Sequence, residues 1–165
     1  MAATALGQPH EAQAPSNVQV PAAVTAVLRK QGHKLDPEAP QFIQVLQESA
    51  ASEIWHKHGS FYDHLHDVWE VLCVWQQPQS WCRLGLFHSA YSNSFVSMNL
   101  FDPKTDRPKL QQLIGLEAEN LEYKFCVIDR KLLEETVLEE QTIREEGMPL
   151  VRGMPRKDAF LLMLD

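Results

Sequence analysis

Apolar residues recur at helical spacing along most of this chain, and one stripe is especially regular. Its members follow at steps of four, three, four and three residues: Phe61, Leu65, Val68, Leu72 and Trp75. This spacing is typical of the buried face of an amphipathic α-helix. Ser60 stands before the stripe as an N-cap, and Asp63 follows three residues later where a capping box needs an acceptor. The pattern therefore predicts a helix that begins at Ser60 and ends near Trp75.

A second helix is predicted directly after the break at residues 76–79, with Ser80 as its N-cap. One face of this helix carries five residues: Trp81, Leu84, Gly85, His88 and Tyr91. A glycine inside a helix costs roughly 1 kcal/mol, so Gly85 indicates the close approach of a neighbouring helix. Helices joined by so short a break usually pack antiparallel. We therefore expect the two stripes to face each other.

The remaining segments complete a predicted all-α, HD-like bundle of about six or seven helices. Helices are expected after Pro21 up to Gly32, after Asp36, from Thr105 or Asp106 to Gly115, and along a stripe of Leu121, Phe125, Ile128 and Leu132 towards residue 147. Residues 157–164 read as a short apolar helix or strand. Signals for strands are weak throughout. Residues 1–19 have no hydrophobic period and are predicted to be a disordered tail, which leaves residues 20–165 as a single domain.

Composition narrows the class of protein. With 44% hydrophobic residues the chain can build a core. The net charge is −7, and residues 117–146 account for −6 of it, with ten acidic and four basic residues. We interpret this run as a solvated helix face, and an acidic surface disfavours nucleic-acid binding.

No apolar run reaches the length of a membrane helix, and no secretory signal is evident. A cytoplasmic location is expected, with an organellar one left open.

Three cysteines, Cys73, Cys82 and Cys126, are widely spaced and include no CxxC pair, which disfavours a zinc knuckle. Each has apolar neighbours, so buried free thiols in a reducing compartment are expected. The sequence also lacks the GxGxxG, GxxxxGK[ST], GxSxG and HExxH motifs. Ser89 directly follows His88, but adjacent residues on a helix point about 100° apart, which disfavours a Ser–His nucleophile pair.

Histidines on the two facing helices are the strongest chemical signal. Antiparallel packing would place His64 and His88 at the same end of the helix pair, with His58 just before the first helix. Asp129 would add a carboxylate from a later helix. Three imidazoles and one carboxylate suit a zinc, iron or manganese ion. The alternative is that these histidines are core residues bonded to backbone carbonyls, with Asp129 in a structural ion pair.

This layout of residues resembles the HD superfamily of metal-dependent phosphohydrolases, in which a histidine, a His-Asp pair and a final aspartate hold metal. The segments Asp63-His64-Leu65, residues 82–91, Ile114-Gly115 and residues 125–130 are still more similar to an uncharacterised HD-like family of bacteria and photosynthetic eukaryotes with His-Ser in place of His-Asp. The resemblance implies an all-helical HD-like fold and maps metal ligands onto His64, His88 and Asp129. Because Ser89 replaces the aspartate, it implies a mononuclear site completed by His58.

Three functions follow as expectations. The first is a metal-dependent hydrolase of small phosphoester substrates, with Tyr91 as a hydrogen-bond donor to the substrate and Ser89 as a second candidate catalytic residue. The second is an iron-dependent oxygenase, since several histidines with few carboxylates suit iron. The third is a non-catalytic helical module with a lost metal site, which binds a protein partner through its acidic helix.

Overall fold

The computed structural model describes residues 20–56, 59–97, 99–129 and 131, which form a helical bundle with one small hairpin. The elements are α1 (Ala22–Leu28), α2 (Ala39–Gln47), β1 (Trp55–His56), β2 (Gly59–Ser60), α3 (Phe61–Val74), α4 (Gln79–Phe87), α5 (Arg107–Ile114) and α6 (Leu116–Val127), with short 3-10 turns at Gly32–Lys34 and Ala50–Ser52. The predicted all-α class is confirmed for these residues. No helix among them is long and apolar enough to cross a membrane.

Helix α3 begins where the sequence predicted. The Ser60 hydroxyl accepts the backbone N–H of Asp63 at 3.1 Å, and the Asp63 carboxylate accepts the backbone N–H of Ser60 at 2.9 Å. This reciprocal capping box satisfies two of the backbone donors that a helix leaves free at its start. The cap fixes the first turn of α3, on which His64 lies.

Helices α3 and α4 form the centre of the bundle and approach each other closely at Gly85. A Cβ added at Gly85 would lie 2.5 Å from Leu72 Cδ1 and 3.3 Å from Val68 Cγ1. The close approach predicted from this glycine is therefore confirmed. Around this contact, large residues from α2 to α5 are almost fully buried: Phe42, Leu46, Leu65, Trp69, Leu86, Phe87, Leu110 and Ile114.

The end of α4 differs from the prediction. The apolar face continues to Tyr91, but the helix ends at Phe87 and His88 is its C-cap. The backbone N–H of Ala90 bonds the Phe87 carbonyl at 2.7 Å and also donates to Glu122 Oε1 at 3.0 Å. The Glu122 carboxylate thus accepts the Ala90 N–H, which would donate to a backbone carbonyl of α4 if the helix were longer. Ser92, at φ +64°, then turns the chain away.

The interpretation of the acidic run as a solvated face is wrong for its first part. Glu119 and Glu122 on α6 are fully buried, beside Ala118 and Phe125. Of the predicted stripe, Phe125 and Ile128 are buried and Leu121 is half-buried. The inward face of α6 therefore includes two carboxylates, and each is hydrogen-bonded there. Buried carboxylates need such partners, and these come from other elements of the fold.

The strands β1 and β2 were not predicted, because residues 54–59 read as a link between helices. They pair antiparallel, Trp55 with Ser60 and His56 with Gly59. Several sequence predictions fall outside the described residues: the tail at 1–19, His58, the extension of the last stripe beyond residue 131, and the segment at 157–164.

Candidate metal centre

His64 and His88 meet between α3 and α4, as the antiparallel packing of these helices predicts. The two Nε2 atoms lie 3.2 Å apart. The rings are nearly perpendicular, with centroids 5.1 Å apart. His88 is 4% exposed and His64 is half-buried. The fold therefore points one nitrogen of each imidazole at a common position.

The backbone of α4 fixes the orientation of the His88 ring. His88 Nδ1 donates a hydrogen bond to the Gly85 carbonyl at 2.7 Å. This carbonyl is free to accept because the helix ends at Phe87. In the neutral imidazole, a proton on Nδ1 leaves the lone pair on Nε2. Metal-binding histidines are commonly oriented by a hydrogen bond of this kind, from the second ring N–H to a carboxylate, a backbone carbonyl or water.

A third imidazole, His56, packs against His64 with ring centroids 4.8 Å apart. The hairpin of β1 and β2 holds His56 in this position, and Phe61 lies beside it at 5.4 Å between centroids. The sequence analysis did not include His56 in the site, because nothing local indicated the hairpin. It is in fact half-buried in a cluster of three histidines.

Close to His88, α6 contributes a buried carboxylate and a thiol. Glu122 Oε1 accepts the Cys126 thiol at 3.0 Å, and Cys126 also contacts the His88 carbonyl at 3.7 Å. The Phe125 ring lies edge-on to His88, with centroids 5.6 Å apart. The sequence analysis missed Glu122. Its spacing of four from Ala118 and three from Phe125 was the only signal that it faces inward.

The other predicted site residues lie around this centre in different ways. Asp129 is exposed just past the end of α6, where it lines a surface pocket with Ser94 and Cys126. Ser89 is fully buried, and its hydroxyl accepts the Asn93 side-chain amide at 2.9 Å. The position of His58 is outside the described residues.

Tyr91 lies in the core rather than in the site. Its hydroxyl donates to Glu119 Oε1 at 2.9 Å, and the side chain is 3% exposed. Burial, followed by the hydrogen bond to Glu119, raises the pKa of Tyr91 well above its usual range. A phenol has one proton to donate, and here Glu119 accepts it. The role of substrate donor predicted for Tyr91 has no support in this geometry.

An apolar cavity of about 390 Å³ opens beside His88 between α3, α4 and α6. Its walls include Trp75, Leu84 and Phe125, and Asp67 is the one acidic residue among the described residues that line it. His88 therefore belongs both to the imidazole pair and to the wall of a cavity. This is the arrangement in which a bound small molecule would lie next to a metal held by the pair.

A second group of ligand-type side chains lies elsewhere on α3. One ligand atom each from His66, Asp67 and Glu70 lies within 4.8 Å of the others. His66 Nδ1 is 3.7 Å from Glu70 Oε1, and the His66 ring packs on Trp69. These side chains are exposed or half-buried. Pairs of this kind, at i and i+4, are ordinary contacts along a helix surface, so the group serves best as a control for the His64–His88 pair.

The fold and the site define a helical-bundle protein with a semi-buried imidazole cluster between its two central helices. Residues 45–130 match the family described as a domain of unknown function, DUF6817. This range covers more than half of the chain, so the protein belongs to that family. It includes α3, α4, α5, α6 and both histidines of the pair. Comparisons with curated proteins and with solved structures found no match.

Proposed function

We propose that His64 and His88 bind a divalent metal ion and that the protein is a metal-dependent hydrolase of phosphoester substrates. The 3.2 Å separation of the two Nε2 atoms carries this proposal. At a metal–nitrogen distance of about 2.05 Å, two ligand nitrogens lie about 3.3 Å apart at a tetrahedral angle and about 2.9 Å apart at a right angle. The observed separation lies between these values.

The surroundings of the pair support the same conclusion. The Gly85 carbonyl keeps the lone pair of His88 on Nε2, which is the nitrogen that faces His64. Two imidazoles can also share a single N–H···N hydrogen bond at this distance. His56 packs against His64 beside the proposed site. In the proposed site, His58 and Asp129 remain the expected further ligands.

The hydrolytic step fits these residues and the adjacent cavity. When bound, a metal of this class lowers the pKa of water from 15.7 to about 7 and polarises a phosphoryl oxygen. The apolar walls formed by Trp75, Leu84 and Phe125 would exclude bulk water and hold the organic part of the ester. The expected location is the cytoplasm, and the expected substrate is a small molecule.

Elemental analysis of the reconstituted full-length chain tests metal binding. We expect near-stoichiometric zinc, manganese or iron in the natural chain. We expect at least a 10- to 100-fold loss of affinity in His64→Ala and in His88→Ala, because loss of even an outer partner has that effect. His66→Ala is the matched control on the same helix and should keep the metal. Retention in the first two variants, or loss only in the control, would refute the proposed site.

Two activity assays separate the functions that a metal site allows. Hydrolysis of p-nitrophenyl phosphate mono- and diesters by the metal-loaded chain, abolished in His88→Ala, would support the hydrolase. Iron binding with O₂ uptake and no ester hydrolysis would favour the oxygenase instead. If no metal binds after reconstitution and a chelator leaves the melting temperature unchanged, the chain is better described as a non-catalytic module with a protein partner.

A further inference from the structure

Two of the three cysteines lie together at the opposite end of the α3–α4 hairpin from the histidines. Cys73 is in the last turn of α3 and Cys82 is in the first turn of α4. Their side chains line the same cavity, and each thiol acts on the pKa of the other. The Cys82 thiol also reaches the Gln77 carbonyl, 3.5 Å away, in the loop that joins the helices. This arrangement was not predicted, because the sequence reading assigned each cysteine separately to the core.

The contact makes the two sulfurs chemically unequal. The interaction with Cys73 lowers the pKa of Cys82 below its usual range, although burial acts in the opposite direction. The same interaction, together with burial, raises the pKa of Cys73. The sulfur with the lower pKa is the better nucleophile near neutral pH, and its neighbour is placed to attack it in turn.

Cys73 is half-buried and Cys82 is 5% exposed, and both border one cavity. They line a cavity of about 310 Å³ whose wall also includes Lys34, Asp36 and Gln77. A cavity of this size admits a small oxidant to both sulfurs. Cys126 has a different environment, since its thiol donates to the buried Glu122 carboxylate at 3.0 Å.

We propose that Cys73 and Cys82 are a redox-active dithiol that a peroxide converts to a disulfide joining α3 to α4. The Cys82 thiolate attacks one peroxide oxygen, the O–O bond breaks, and Cys82 becomes a sulfenic acid as the first water leaves. Cys73 then attacks the Cys82 sulfur, the S–S bond forms, the S–O bond breaks, and a second water leaves with the Cys73 proton. Two electrons pass from the two thiols to the peroxide, and a thiol reductant reverses the change.

The disulfide requires the two sulfurs to approach to a bond length of about 2.05 Å. Both cysteines flank the short loop between Val74 and Gln79, where helix ends adjust more easily than helix centres. The disulfide would hold the two helices that carry His64 and His88, but it does not depend on the metal proposal.

Mass spectrometry of the full, reduced chain tests this proposal. After brief treatment with hydrogen peroxide and alkylation under denaturing conditions, we expect one alkylated cysteine instead of three. Peptide mapping should show an intramolecular link between Cys73 and Cys82 that dithiothreitol removes. Cys126→Ser is the matched control and should form the same link. In Cys73→Ser, the sulfenic acid should persist on Cys82 and react with dimedone.

Three results would overturn the inference. These are three alkylated cysteines after peroxide treatment, a link that involves Cys126, and oxidation of Cys82 to the sulfinic acid without a disulfide. Mapping in the natural chain decides between the outcomes even if a serine variant folds poorly. A positive result with no metal bound would leave the dithiol standing while the proposed hydrolase fails, so the two proposals are tested separately.

Discussion

At the scale of single residues, Glu119 is a buried carboxylate that three other side chains hold in place. It is fully buried, and its carboxylate accepts hydrogen bonds from Arg107, Gln111 and Tyr91 between 2.6 and 3.0 Å. Burial by itself would raise the pKa of Glu119, but these hydrogen bonds, led by that from Arg107, outweigh it and hold the pKa below its usual range.

Glu119→Gln should destabilise the protein by about 1.5–3 kcal/mol at pH 7, the range for hydrogen bonds to a charged group. Arg107 is partly exposed and can regain water, which keeps the loss within this range. The stabilisation from Glu119 is full above its unfolded pKa of about 4.3 and is lost as the pH falls through the lower folded pKa. Urea unfolding at pH 7 and from pH 5 to pH 3 measures both effects.

The exposed neighbour Glu117 provides the control for this substitution. Glu117→Gln should stay within about 0.5 kcal/mol of the natural chain, because surface changes rarely exceed that value. Equal effects of the two substitutions would show that general charge reduction, not the buried hydrogen bonds, accounts for the loss. If the free energy of unfolding changes between pH 5 and pH 3 in Glu119→Gln as it does in the natural chain, the pKa of Glu119 is not lowered in the folded state.

The burial of Glu119 and Glu122 could not be predicted from the sequence, because their hydrogen-bond partners are distant in the chain. Arg107 is 12 residues before Glu119 on another helix, and the backbone N–H of Ala90 is 32 residues before Glu122. Charged side chains are mostly exposed unless paired, so the local pattern favoured a solvated face. The contact between His64 and His88 could be predicted, because the two residues lie on helices that are adjacent in the chain. The regular apolar stripes of these helices favour one antiparallel packing.

At the scale of elements, α4 packs closely against α3 at Gly85. The neighbours of an added Cβ differ in how easily they can move. Leu72 Cδ1, at 2.5 Å, is the end of a flexible side chain that borders the apolar cavity. The backbone at Trp69 Cα, at 3.6 Å, has no such freedom. A methyl group can therefore be accommodated, whereas a branched side chain cannot.

We expect Gly85→Ala to change the stability by less than about 1 kcal/mol, because the gain in helix propensity offsets the displacement of Leu72. Gly85→Val should cost about 1–3 kcal/mol through overpacking. It should also weaken metal binding, since the Gly85 carbonyl holds His88. Chemical unfolding and metal titration of both variants check this. A valine variant as stable as the alanine variant would contradict the close packing.

Element boundaries were predictable where the signal is local. The cap at Ser60 and the stop at Gly115, with φ +93°, both follow from the chemistry of the residue itself. The end of α4 was not predictable, because Glu122 from a later helix binds the Ala90 N–H. The β1–β2 hairpin was also missed, and with it the position of His56.

At the scale of the whole molecule, Arg83 joins three parts of the described fold. Its guanidinium pairs with Asp36 at 2.7 Å and with Glu38, both just before α2, and donates to the Ile114 carbonyl at the end of α5 at 3.1 Å. Asp36 is 1% exposed. Burial acts to raise the pKa of Asp36, but the contact with Arg83 and a backbone hydrogen bond from Glu38 hold it below its usual value.

Arg83→Met should destabilise the fold by about 3–5 kcal/mol, because it leaves the Asp36 carboxylate buried without its partner. Arg83→Lys should recover part of the loss, since lysine keeps the charge but not the forked geometry. Differential scanning calorimetry and urea unfolding measure the stability of the natural chain and of both variants, and we expect the order natural chain, Arg83→Lys, Arg83→Met. If the free energy of unfolding of Arg83→Met is within about 1 kcal/mol of that of the natural chain, Arg83 does not hold these segments together.

The antiparallel pairing of α3 with α4 also bears on the order in which the protein folds. The imidazole contact spans only 24 residues of sequence, and the thiol contact lies nearer still to the connecting loop. Contacts between nearby parts of a chain close quickly, because little loop entropy is lost. We therefore expect both reactive pairs to come together during the earliest helix pairing, before α5 and α6 have docked.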